Sequence, residues 1–394
     1  MADIIRKDYI DSLNKYKDLD LIKVLTGVRR SGKSTILLQY IEELKNQGII
    51  DNQIVYYNFE RIQDEEIYDY KNLANVIMQK KITGKKLYVF LDEIQEVTSF
   101  EKAINSLHLD KEIDIYITGS NANLLSSELA TYLTGRYIEI KVYPFSFKEY
   151  LEATNKNIDD GFNDYMVYGA MPYITKLNDS EIVVDYLQTL YNTILLKDIV
   201  KRKSIKEVGI LEDLTKFLCD SIGSIVSPKS ISDTMTSKGR KVSSITVDNY
   251  IKFLCESLMF YECKRFDIKG KQNLETLNKI YLVDQGFKSF LTNAKANLGF
   301  NLENIIYIEL LRRNYKVQIG KVNDMEIDFV CTKNGEVKYI QVALSVLDEN
   351  TFERELRPLK LIKDNYEKMI ITLDTLPMEK DGIKVINAKE FLLE

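Results

Sequence analysis

The apolar positions of this chain fall into two rhythms. Near the start, "DLIKVL" precedes the helically spaced "ILLQYIEELKNQG". Two further continuous runs, Leu87 to Leu91 in "KKLYVFLDEIQEV" and the run in "DIYITGSNANLL", end in polar residues. Runs this continuous do not suit a sheet with one wet face; they predict parallel strands covered by helices on both sides. The text that follows, "SSELATYLTGRYIEIKVYPFSF", reads as helical.

From about residue 210 the spacing becomes helical: "ILEDLTKFLCDSIG", then "SPKSISDTMTS", a turn "KGRK", then "SSITVDNYIKFLCESLMF". Val247, Ile251, Leu254 and Leu258 form one apolar stripe at i, i+4, i+7 and i+11, on a helix whose predicted cap is Ser244. With "YECKRFDIKGKQ" as a β-ribbon, this predicts a winged helix. The last third alternates. "NLENIIYIELLRR" is a helix; "YKVQIG", "MEIDFVCTK" and "VKYIQVALSV" are strands, with a hairpin turn at Asn334-Gly335; helix "FERELRPLKLIKDNY" and strand "KMIITLD" follow.

Chemistry enters at the first strand–helix junction, "GVRRSGKST". Gly27 and Gly32 permit backbone conformations closed to other residues, so amide N–H groups can converge on an anion at a helix N-terminus. The pattern is G-x-x-x-x-G-K-S in full, and Gly27, Arg30, Ser31, Gly32, Lys33, Ser34 and Thr35 are the expected nucleotide-binding residues. Lys33 is expected to reach the β/γ-phosphates and Ser34 to ligate Mg²⁺. An acid pair should stand on a neighbouring strand, and Asp92-Glu93 ends "VFLDE". Asp92 is expected to hold Mg²⁺ through water and Glu93 to polarise the attacking water. Ser120 or Asn121, after the next strand, is placed to face the γ-phosphate.

In this order, GVRRSGKST, FLDEIQEV, ITGSNANLL, LTGRYIEIKVYPFSFKEYL and YGAMPYI, the chain resembles the AAA+ ATPases of the AAA_14 type, kin to archaeal ATPases and more distantly to origin-recognition ATPases. The likeness continues into a region resembling DUF4143. It implies ATP and Mg²⁺ as cofactors and a homo-oligomeric ring, with six subunits as one candidate size. It also makes Arg136, in "TGRY", the candidate arginine finger acting on a neighbouring subunit's nucleotide.

Composition restricts the partners. Net charge is −5 at pH 7, so a nucleic-acid surface must be a local patch on an acidic body. "LLKDIVKRKSIK" gathers Lys197, Lys201, Arg202 and Lys203. In the predicted winged helix, Lys238, Arg240, Lys241, Ser243, Thr246, Asn249 and Lys252 suit phosphates or base edges. The scattered cysteines, Cys219, Cys255, Cys263 and Cys331, and a single histidine, His108, argue against zinc or His-based chemistry. No stretch has the length of a signal or membrane segment, which predicts a cytoplasmic protein with no membrane partner.

The last third resembles the PD-(D/E)xK nuclease fold. Asp328 fits the first acid, and Glu303 or Glu326 could assist, but the E-x-K position reads Gln341-Val342-Ala343, so cleavage is not expected. The predicted fold class is α/β: a P-loop AAA+ domain over 1–145, a helical lid or connector over 146–208, a winged helix over 209–290, and a degenerate restriction-endonuclease-like domain over 291–394. The expected function is an ATPase that couples MgATP hydrolysis between subunits to DNA binding, remodelling or translocation. The alternative is a nucleotide-controlled signalling switch that binds a partner protein.

Overall fold

The computed structural model describes residues 4–61, 65–124, 133, 135–292, 298–376 and 378–394. The chain divides into two compact units, 1–142 and 143–394. In the first, β1 (Ile22–Thr26), β2 (Ile54–Asn58), β3 (Leu87–Asp92), β4 (Ile113–Gly119) and β5 (Tyr137–Lys141) form one sheet in the order β2-β3-β4-β1-β5. Every pairing in it is parallel.

Burial explains the continuous apolar runs. Leu87, Val89 and Leu91 pack in one core with α3 (Tyr70–Gln79) and α4 (Phe100–His108). Their neighbours Tyr88 and Phe90 point into a second core with α1 (Lys7–Tyr16) and α2 (Lys33–Asn46). Each fully buried side chain of this size contributes roughly 1.5–3 kcal/mol, so neither face tolerates a polar alternate. Tyr40, Phe90 and Tyr116 lock α2 to the sheet, with the Phe90 and Tyr116 rings stacked at 4.7 Å between centroids.

The helical reading of Ser126 to Phe147 needs correction at its end. Tyr137–Lys141 is β5, paired with β1 from Ile22↔Tyr137 to Thr26↔Lys141. An open edge on the P-loop strand and the β-favouring residues of "YIEIK" override the helical spacing. Residues 126–132 and 134 of that stretch lie outside the described residues.

The second unit begins with helices Phe147–Thr154, Ile158–Tyr168 and Ser180–Thr193, the last continuing as a wider π-helical stretch, Ile194–Lys201. Helices Val208–Asp220, Pro228–Ser237 and Ser244–Glu256 follow, then the hairpin β7 (Phe260–Asp267) and β8 (Gln272–Leu282). Ser243, not Ser244, caps the third helix: its side chain accepts the Thr246 N–H, and the stripe Val247, Ile251, Leu254 and Leu258 is buried. One mixed sheet, β13-β14-β12-β11-β10-β9-β7-β8-β6, joins that hairpin to the C-terminal strands. Here β6 is Ile225–Val226, β9 Lys316–Val322, β10 Met325–Lys333, β11 Glu336–Val342, β12 Glu367–Thr372, β13 Met378–Lys380 and β14 Ile383–Asn387. The sequence sets a boundary at 290/291; the sheet runs across it, because β7 pairs in parallel with β9. Helix Glu349–Lys360 covers one face through Phe352, Leu356 and Leu359.

Candidate functional site

The P-loop connects β1, buried along its whole length, to α2. Gly32 is the α2 N-cap with φ 98°, a left-handed conformation costly for any residue with a Cβ. Gly27 is required for a different reason from the conformational freedom expected. It has no positive φ, but a Cβ there would stand 2.2 Å from the Val142 carbonyl oxygen. No acid occupies the first turn of α2 and no side chain caps it, so its N-terminal dipole faces the loop without a protein carboxylate.

Lys33 is buried and donates to the carbonyls of Gly27 (3.0 Å) and Val28 (3.3 Å), with Glu93 Oε1 at 3.3 Å. The Ser31 hydroxyl is buried with no hydrogen-bond partner among the described residues. A loop carrying a buried ammonium, a partnerless hydroxyl and an acid-free helix end fits a nucleotide's phosphates.

The acid pair ends β3. Asp92 is fully buried and accepts from Thr118 Oγ1 (2.6 Å), Asn58 Nδ2 (2.7 Å) and Tyr56 OH (3.1 Å). Burial raises its pKa, against hydrogen bonds from Thr118 and Ser34. The Ser34 bond places both expected Mg²⁺ ligands together. Glu93 sits in a left-handed turn, φ 55°, where its N–H donates to Thr118 Oγ1 at 2.9 Å. Burial pulls the Glu93 carboxyl upward, but the Lys33 charge and the Gln95, Arg29 and Ser120 contacts bring it down to about 2. It is therefore ionised at neutral pH and able to polarise water.

β4 lies between β1 and β3, as the motif reading requires. Ser120 and Asn121 are both buried past its end, and Ser120 hydrogen-bonds Glu93. The polar residue of this strand that touches both acids is Thr118, which the sequence reading passed over. A polar residue interrupting a buried strand beside the acid pair was the available signal. Arg6 had none. Its guanidinium, fully buried, donates to the Ser31 carbonyl at 3.0 Å and lies 4.5 Å from the Tyr9 ring centroid. Its backbone N–H donates to Gln39 of α2, so residues before α1 brace the loop.

Arg30 is exposed, with φ 65°, and Thr35 is half-buried in the first turn of α2. Arg136 does not approach this site in its own chain. It precedes Tyr137, the partner of Ile22 at the start of β1, whereas the P-loop follows Thr26 at the end. A five-residue strand separates the two by roughly 16 Å. The exposed Arg136 side chain donates to Asn105 at 3.1 Å.

In the second unit, the residues expected at DNA are partly engaged. Arg240 pairs with Asp213 (2.6 Å), Lys252 with Asp248 (2.7 Å), and the Ser243 and Thr246 hydroxyls with each other (2.9 Å). Lys238, Lys241 and Asn249 are exposed. Asp328 accepts the Val342 N–H at 2.8 Å and donates its own N–H to Gln341 Oε1 at 2.7 Å. It also faces Lys279, 3.5 Å away, which no motif pointed to.

Among the described residues no helix is long and apolar enough to cross a membrane, and no metal-binding cluster of His, Cys, Asp and Glu occurs. The four cysteines are free.

Comparison with known proteins matches an AAA domain model (AAA_14) over residues 20–151. Residues 159–298 match a domain of unknown function, DUF8612, and not the DUF4143 region expected from the resemblance. The fold is similar to a Walker-type ATPase of Pyrococcus abyssi, with TM-score 0.51 and 16% identity, over 73% of this chain and 96% of that one. An uncharacterized protein of Methanocaldococcus jannaschii is 30% identical over 95% of this chain and 86% of its own length. An uncharacterized protein of Haemophilus influenzae is 42% identical over 100% of this chain and 99% of its own. With the P-loop, the acid pair and the parallel sheet in place, this chain belongs to the family of AAA-domain proteins that includes these bacterial and archaeal relatives, and its first unit is a P-loop NTPase.

Proposed function

We propose that the protein hydrolyses MgATP at interfaces between subunits of a homo-oligomer and uses the cycle to change its grip on DNA. The observation that carries the hydrolytic part is Lys33, 3.3 Å from Glu93, beneath a loop whose Ser31 hydroxyl has no partner among the described residues. Arriving phosphates offer Lys33 stronger acceptors than the Gly27 and Val28 carbonyls, since charge-assisted bonds are about twice as strong as neutral ones. Ser34 and Asp92 would hold Mg²⁺, which when bound offsets phosphate charge and orients the γ-phosphate. Glu93, released from Lys33, polarises the attacking water. Arg136 lies at the far end of β1 in its own chain, so on this reading it serves a neighbour's nucleotide.

DNA coupling rests on exposed Lys238 and Lys241 beside the Ser244–Glu256 helix, in the winged-helix order of helices and hairpin. Turnover measured with single-stranded, duplex and branched DNA tests it, and stimulation is expected. Slow turnover with retained ADP and no DNA response would replace it with the partner-protein switch. Mixing Arg136→Ala with Lys33→Ala subunits should restore part of the activity. A chain that hydrolyses at full rate while monomeric would exclude the shared interface.

A further inference from the structure

Lys279, on β8, is among the most buried lysines of the chain, 3% exposed. Its Nζ lies 3.0 Å from Glu303 Oε1, 2.7 Å from Glu326 Oε1 and 3.5 Å from Asp328 Oδ1. Helix Leu298–Arg312 brings Glu303, and β10 brings Glu326 and Asp328. Three carboxylates thus surround one ammonium, which has three N–H donors.

Other groups hold these acids independently of the lysine. Tyr281 OH donates to Glu303 at 2.7 Å, and the Val342 N–H donates to Asp328 Oδ2 at 2.8 Å. Carboxylate oxygens are the donors that hard divalent cations use, at about 2.0–2.6 Å from the ion, but spread around the ammonium as they are, these three form no group that could hold one. Glu326 and Gln341 also line a groove of about 760 Å³, open to solvent, so ions have a route in. An ion seated among the three oxygens would occupy the volume of the ammonium and be repelled by its charge.

We propose that the Lys279 ammonium is the resident cation of this carboxylate pocket, and that the pocket takes a divalent metal ion only when that ammonium is removed. Burial works against the charged form of Lys279, but Glu303, Asp328 and Glu326 hold its pKa above the ordinary lysine value. The ammonium is therefore charged at neutral pH, whereas burial and the Asp328 charge raise the Glu303 carboxyl to about 7. The strand position where a nuclease carries its second acid holds Gln341 instead. Its amide accepts from the Asp328 N–H and donates to Glu355 at 2.9 Å, so it closes the pocket on that side without adding charge. The unit is then stabilised by an internal cation and carries out no metal-dependent hydrolysis. This inference is independent of the ATPase reading.

The test is Mn²⁺ binding by nucleotide-free full-length protein, followed by electron paramagnetic resonance and calorimetry. All proteins carry Ser34→Ala and Asp92→Asn, which remove the metal ligands expected at the P-loop. The chain with Lys279 intact should bind no Mn²⁺ that depends on Asp328. Lys279→Met should gain one Mn²⁺ per chain and lose it again when Asp328→Asn is added. If Lys279→Met folds only when Mn²⁺ is present, that rescue is the supporting result. Asp328-dependent Mn²⁺ binding with Lys279 in place would overturn the proposal. So would a folded Lys279→Met that takes up none, or an unfolded one that Mn²⁺ does not restore.

Discussion

Two regions of this molecule assemble a buried lysine with carboxylates, and they are opposites. At the P-loop, Lys33 faces Glu93 and two backbone carbonyls, beneath an acid-free helix end and a hydroxyl with no partner among the described residues. In the second unit, Lys279 faces three carboxylates, and those are held by further hydrogen bonds. The first arrangement has hydrogen-bonding capacity to spare for an anion; the second has none. Residue type alone therefore does not distinguish a working site from a satisfied one. The count of unfilled donors and acceptors does.

The largest effect expected is at the working site. Lys33→Ala should abolish tight ATP binding, whereas Glu93→Gln should bind ATP and lose about 10²-fold or more in turnover, the scale of a general base. Equilibrium binding of a fluorescent ATP analogue beside steady-state hydrolysis separates the two. Wild-type turnover in Glu93→Gln would break the contrast at its root.

At the satisfied site the readout is stability. Lys279→Met leaves three buried or half-buried carboxylates without a counter-charge, and such a loss costs about 3–5 kcal/mol. Chemical denaturation should show it, with ATP binding retained because the P-loop lies in the other compact unit. A change below about 0.5 kcal/mol would mean the cluster is no more than a solvated surface network.

A smaller effect sharpens the first site. Arg6→Ala removes one charged donor from the Ser31 carbonyl and should weaken ATP binding by about 1.5–3 kcal/mol, roughly tenfold or more in Kd. Arg6→Lys should recover part of the loss. Unchanged Kd in a folded Arg6→Ala protein would show that the loop holds its shape unaided.

The smallest effect concerns DNA. Changing Lys238, Arg240, Lys241 and Lys252 together to Ala should lower the salt slope of duplex binding by about two units. A drop near four would require all four to meet phosphates, which conflicts with the Arg240–Asp213 and Lys252–Asp248 pairs. Fluorescence anisotropy across a salt series decides this.

The nucleotide site was legible in sequence because its parts are local. Seven P-loop residues are contiguous or nearly so, and the acid pair ends a single strand. Thr118, Asn58 and Tyr56 were harder to see, because they reach Asp92 from neighbouring strands whose register no single stretch of text contains. The apolar stripe of the Ser244–Glu256 helix was equally local, and only its cap moved by one residue. β5 was misread because strand identity there depends on an unpaired edge of β1, which exists only once the sheet is assembled.

By itself, then, the sequence determined the P-loop, the acid pair and the parallel α/β class, since each follows from residues close together in the chain. Only the tertiary structure decided that Arg6 braces the loop, that the predicted wing and the C-terminal strands share one sheet, and that Lys279 comes to lie among Glu303, Glu326 and Asp328. The reason is physical. Hydrogen bonds and ion pairs act over a few ångströms of space, and Lys279 is separated from Glu303 by 24 residues of chain and from Asp328 by more. No periodicity or motif spans that interval; strand pairing and helix packing do.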